Sequence, residues 1–220
     1  MHGLVLTIAL LMIGSARAQV DTSAQNLMVV VREAIGANQN SETLEPLGRG
    51  RLKLSDGREF EFELAAFLLL GDMQIRFVFD GPQFMSNAKP QDRARLGLAP
   101  AEALALAVAN IKRVYGDPVA KPWEMGLMQV EGRSPDLDSS YVLDRAFWRH
   151  LLREHPEGLV VAVPKRGALL FTPANEEAKV QWLPDNIARL HATSGKLRVS
   201  SALYLFKDDR WTVFQSPRSE

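Results

Sequence analysis

The chain has 220 residues, with 26 basic and 26 acidic side chains and no cysteine. That balance argues against nucleic acid, whose phosphates call for clustered positive charge. The missing thiols remove disulfides, a cysteine nucleophile and a lipoprotein-type anchor, and the length suits one large domain or two halves sharing an interface, stable without metal.

The opening 18 residues, "MHGLVLTIALLMIGSARA", have the layout of a secretory signal. An apolar run from Leu4 to Ile13 is followed by Gly14 and Ser15, and Ala16-Arg17-Ala18 gives the small-x-small pattern of a cleavage site. Cleavage there makes Gln19 the mature N-terminus and leaves 25 basic against 26 acidic residues. The expected location is periplasmic or secreted. The leader is shorter than the about 20 apolar residues of a membrane span, and no later stretch reaches that length.

Beyond the leader, "AQNLMVVVREAIG" predicts a helix, with Leu27, Val30, Val31 and Ala34 on one face and Gly36 ending it. "GRLKLSDGREFEFEL" alternates apolar and polar residues around Asp56-Gly57 and predicts a hairpin. "AAFLLL" fits a strand end or a buried helical turn, and "QIRFVF" a strand. Pro100 to Tyr115 predicts a helix closed by Gly116. "DPVAKPW", with two prolines, is expected to link an N-terminal half, 19–117, to a C-terminal half, 124–217. A strand near "GLMQVE" precedes the helix "YVLDRAFWRHLLREH", expected to be capped by Asp138, Ser139 and Ser140. "LVVAV" and "ALLF" read as buried strands around the turn "PKRG". Asn175 should cap a segment that Pro184 divides into two short helices. "SALYLF" and "WTVFQ" form a closing hairpin and a candidate sheet edge. The expected fold class is α+β, with mixed or antiparallel sheets and packed helices in two halves sharing an interface.

Chemical motifs are tested by spacing. In "HLLREH" the histidines His150 and His155 are five apart, so they diverge by about 140° around a helix and cannot share a zinc ion as four-apart histidines do. In "GRSPD", Asp136 stands where a nucleophile elbow needs its second glycine. "GRGRLK" has Lys53 in place of a third phosphate-loop glycine, and a hairpin follows it instead of a helix. No metal ligand set and no cofactor motif emerges. The remaining candidates for ligand binding are Lys165 and Arg166, whose charges must project from a sheet end, and Asp138 with Ser139. An arginine fork there suits a small anion or carboxylate.

Several stretches also resemble the YtpQ-like family of uncharacterised bacterial proteins. These are "SDGREFEFEL", "DGPQFMSNAKPQDRARLGLAPAEALALAVANIKR", "DLDSSYVL" and "LVVAVPKRGALLF". The resemblance implies an α+β architecture and assigns no activity. It departs at Gly167, where that family commonly carries an aspartate, and in the leader, because its members are cytoplasmic. The combined expectation is an exported, non-enzymatic binding or interaction module of the cell envelope, whose partner is a protein or small ligand. The alternative is a cofactor-independent hydrolase whose residues assemble from distant loops, with His191 and Asp138 among them.

Overall fold

Three consecutive valines set the first element. The computed structural model describes residues 20–81 and 83–218, so the leader, 1–18, lies outside the described residues. Strand β1 (Leu27–Glu33) takes the place of the expected helix, its first five residues buried on both faces. The correction has a physical origin: a buried strand is apolar throughout, which mimics helical spacing, and β-branched Val29, Val30 and Val31 favour the extended form.

The N-terminal half continues with β2 (Glu45–Pro46), β3 (Arg49–Lys53), β4 (Glu59–Glu63), β5 (Ala66–Leu68), β6 (Met73–Phe79) and β7 (Ser86–Asn87). One antiparallel sheet runs β1-β6-β5-β2, with β7 on β6. β3 and β4 pair separately, from Arg49 opposite Glu63 to Lys53 opposite Glu59, around Gly57 at φ 85°. Two helices follow, α1 (Pro90–Arg95) and α2 (Pro100–Tyr115). In each, a carboxylate reaches back to the capping backbone: Asp92 accepts from the Lys89 N–H at 2.9 Å and Glu102 from the Ala99 N–H at 2.8 Å. Gly116 ends α2 at φ 84°.

The expected linker is β-structure instead. β8 (Val119–Pro122) pairs with β9 (Met128–Glu131) at the rim of the second sheet, where an edge strand tolerates prolines. A tight 3-10 stretch, Asp138–Leu143, leads to α3 (Arg145–Leu152). The cap of α3 is Asp144, which accepts from the Ala146 and Phe147 N–H groups at 3.1 and 3.3 Å, so Asp138, Ser139 and Ser140 do not cap it. β10 (Leu159–Lys165) and β11 (Ala168–Pro173) precede α4 (Glu177–Ala192). Pro184 does not divide α4, because buried Leu183, Ile187 and His191 hold its inner face on the sheet. β12 (Leu203–Lys207) and β13 (Arg210–Gln215) close the chain around Asp208 and Asp209, both at positive φ. The six-stranded order is β13-β12-β10-β11-β9-β8, which makes β13 an edge and β12 an interior strand.

Alternation along β10 divides the packing. Val160 and Ala162 face α4 with Leu183 and Ile187. Leu159, Val161 and Val163 join the larger core, which also takes in Val29, Ile75, Phe77, Ala107 and Trp148. The two halves therefore share one core and form an α+β protein with several sheets and packed helices. Trp148 anchors it, fully buried, edge-on to Phe171 and Trp211, and donating from Nε1 to the Tyr141 carbonyl at 2.9 Å. A second joint is polar. Buried Asp72 accepts from the Ser200 hydroxyl in a short bond and from the Tyr204 hydroxyl at 3.1 Å. No helix among the described residues is long and apolar enough to cross a membrane.

An arginine-lined cavity as candidate functional site

Register brings two arginines to one face. Arg32 on β1 lies opposite Gln74 on β6, and Arg76 is two residues further along β6, so both stems leave the same side of the sheet. The turn between β10 and β11 supplies a third, Arg166. It comes within reach because Gly167, at φ 71°, presses its backbone against the loop that contains Pro135; a Cβ there would meet the Pro135 oxygen at 3.0 Å. The Arg166 N–H donates to the Leu197 carbonyl at 2.9 Å, which fixes the turn from its other side.

The three side chains line one cavity of about 470 Å3, together with Asp80, Tyr115, Ser134 and Asp136. Among the described residues none of the three guanidiniums has an ion pair. Among the described residues their side-chain hydrogen bonds go to neutral acceptors: Arg32 to the Val31 carbonyl at 2.7 Å, Arg76 to the Gln74 side chain at 3.0 Å and Arg166 to the Lys196 carbonyl at 3.3 Å. The Arg166 Nε is buried with no hydrogen-bond partner among the described residues.

Electrostatics register the crowding. Burial first, then Arg166 and Arg76, hold the Arg32 guanidinium down to about 10, with Asp136 opposing them. Burial also lowers Arg76. Of the two lining carboxylates, Asp80 accepts a short hydrogen bond from the Tyr115 hydroxyl, and Asp136 is exposed. Burial, then that bond, push the Tyr115 phenol up to about 12. Three cations against two carboxylates leave the lining net positive. An anion placed there gains charge-assisted hydrogen bonds from planar donors and relieves their mutual repulsion.

Of the residues selected from sequence, Arg166 lines this cavity. Lys165 ends β10, in an isolated bridge to Arg198, and is not part of the lining. Asp138 is buried and accepts the Gly132 N–H at 2.7 Å; Ser139 is buried with no partner for its hydroxyl among the described residues. Neither lines the cavity, whereas Ser134 and Asp136, from the same loop, do. His191 Nε2 sits 3.0 Å from the Glu33 carboxylate, so it and Asp138 have separate partners. His150 is exposed on α3, while His155 lies beyond its end and 3.9 Å from Glu157. Among the described residues no group of three or more potential ligands could hold a metal ion.

Arg32 and Arg76 were not selected from sequence. Arg76 had a signal: in "QIRFVF" it is the one charge in an otherwise buried strand. Arg32 carries none, because the apolar run before it has the spacing of a helix. No family model, curated protein or solved structure matches the chain.

Proposed function

We propose that the protein is an exported, non-enzymatic binding module of the cell envelope that holds a small anion with carboxylate or phosphate groups in the arginine cavity. The observation that carries this reading is three guanidiniums facing one cavity with no ion pair among the described residues. The volume supports it, since ligand pockets commonly span about 300–1,000 Å3. The lining offers three guanidinium donors and the hydroxyls of Ser134 and Tyr115, with no histidine in it among the described residues, and of its two carboxylates Asp80 is held by the Tyr115 hydroxyl. Export rests on the leader pattern, and kinship with the YtpQ-like proteins rests on the matching stretches; both belong to the same proposal.

Native mass spectrometry of the protein isolated from its own envelope tests the binding reading. The expected result is a bound mass of a few hundred daltons that disappears in Arg76→Met. A bound mass that survives both Arg76→Met and Arg166→Met, or a protein that stays bare even when mixed with inorganic phosphate, overturns it.

A further inference from the structure

A second cavity, of about 450 Å3, opens where α2, the 3-10 stretch and β13 meet the first sheet. Its walls are Leu44, Leu69, Leu104, Val108, Leu143 and Trp211. All six are only partly buried, packed against the core on one side and open to the cavity on the other. Along α2, the lining positions Ala101, Leu104, Ala105 and Val108 follow helical spacing, so one stripe of the helix is left facing the space. The alanines are exposed and form a low rim.

The polar groups of this cavity are already engaged. Arg145 pairs with Glu42 at 2.6 Å and reaches Asp209 at 3.5 Å. Glu42 also accepts the Trp211 N–H at 2.8 Å. Asp144 caps α3 and pairs with Lys112 at 3.0 Å. The Tyr204 hydroxyl donates to Asp72 at 3.1 Å. A charged ligand would have to break one of these pairs without finding a free counter-ion. An uncharged apolar one leaves them intact and removes the exposed faces of six apolar side chains from water.

We infer that this cleft is a second binding site, for a small uncharged and predominantly apolar molecule. It is independent of the arginine cavity: the two linings have no residue in common.

N-phenyl-1-naphthylamine, an uncharged apolar fluorophore, is the probe. The wild-type protein should give saturable one-to-one enhancement, with emission sensitised by excitation of tryptophan because Trp211 lines the site. Ala105→Trp fills the cleft from an exposed helix position and should weaken binding at least tenfold. Ala109→Trp, also exposed on α2 but outside the lining, should bind as the wild type does. If Ala105→Trp does not fold, Ala101→Trp decides: it fills the cleft from the other exposed lining alanine and should also weaken binding at least tenfold. Arg32→Met should leave binding of this probe unchanged, which separates this inference from the anion reading.

Absence of saturable enhancement overturns the inference. So does equal binding by wild type and Ala105→Trp, which would place the probe elsewhere, for example on exposed Phe60 and Phe62 of the β3–β4 hairpin. A wild-type dimer that Ala105→Trp converts to a monomer would assign the cleft to a second copy of the chain and overturn it too.

Discussion

Replacing Asp72 with alanine tests whether the two halves form one cooperative unit. Asp72 is 6% exposed, and its hydrogen-bond partners Ser200 and Tyr204 lie 128 and 132 residues away in sequence, both fully buried. The carboxylate also accepts the Ser201 N–H at 3.4 Å. Without it the two hydroxyls, 2.7 Å apart, can turn one proton toward each other, and the other proton is left without an acceptor. Stranding a buried donor costs about 1–3 kcal/mol, and bonds to a charged acceptor contribute about 1.5–3 kcal/mol. Asp72→Ala should therefore lose about 3 kcal/mol, which for a chain of this size lowers Tm by about 6–12 °C. Tyr204→Phe in the same background should cost less than it does alone, because its acceptor is already gone. Thermal unfolding, followed by far-ultraviolet circular dichroism and by tryptophan fluorescence, is the assay. A single coincident transition at the lowered temperature is expected. A loss below about 1 kcal/mol, or two separated transitions, would refute the reasoning.

Three more results are expected. Gly167→Ala puts a side chain at φ 71° and 3.0 Å from the Pro135 oxygen; it should destabilise by about 1–2 kcal/mol in denaturant titration and weaken phosphate binding, because the turn that presents Arg166 must shift. Burial raises the Asp138 carboxyl above its ordinary 3.8, against the lowering bond from Gly132. Its folded form therefore binds a proton more readily than its unfolded form, and the stability contributed by the neutral acid is lost as pH rises from 3.8 through the raised value. Asp138→Asn keeps an acceptor for Gly132 and should flatten that part of the stability profile; an unchanged pH slope would exclude the burial argument. N-terminal sequencing of protein recovered from the envelope should begin at Gln19, and retention of Met1 would remove the export proposal.

Local signals were legible wherever one face of an element meets water or a turn has a fixed chemistry. The Asp56-Gly57 hairpin, the α2 helix between Pro100 and Gly116, and the closing β12–β13 hairpin were all readable for that reason. Elements buried on every side were not. In β1 the apolar run hid the period, and only the β-branched valines marked it as a strand. Pro184 misled because its local cost is outweighed by the burial of Leu183 and Ile187 against the second sheet, a contact invisible in sequence. "DPVAKPW" misled because prolines are as compatible with an edge strand as with a linker. The site was partly legible. Arg166 stood out at a turn, whereas Arg32 and Arg76 join it only through the β1–β6 register and the close approach at Gly167. Asp138 and Ser139 attracted notice as a polar cluster, yet both are buried in the structure and outside the cavity lining.

The most direct test of the arginine cavity is a titration of the protein with inorganic phosphate, followed through the side-chain Nε–H resonances of its arginines. Arg32, Arg76 and Arg166 should shift together with one common Kd. Replacing any one by methionine should weaken that Kd about tenfold, as expected for loss of a charge-assisted hydrogen bond worth about 1.5 kcal/mol. Exposed Arg49 and Arg51 should not follow the same curve. Shifts confined to such exposed arginines, or three cavity resonances that stay still or move with unrelated affinities, would contradict the account.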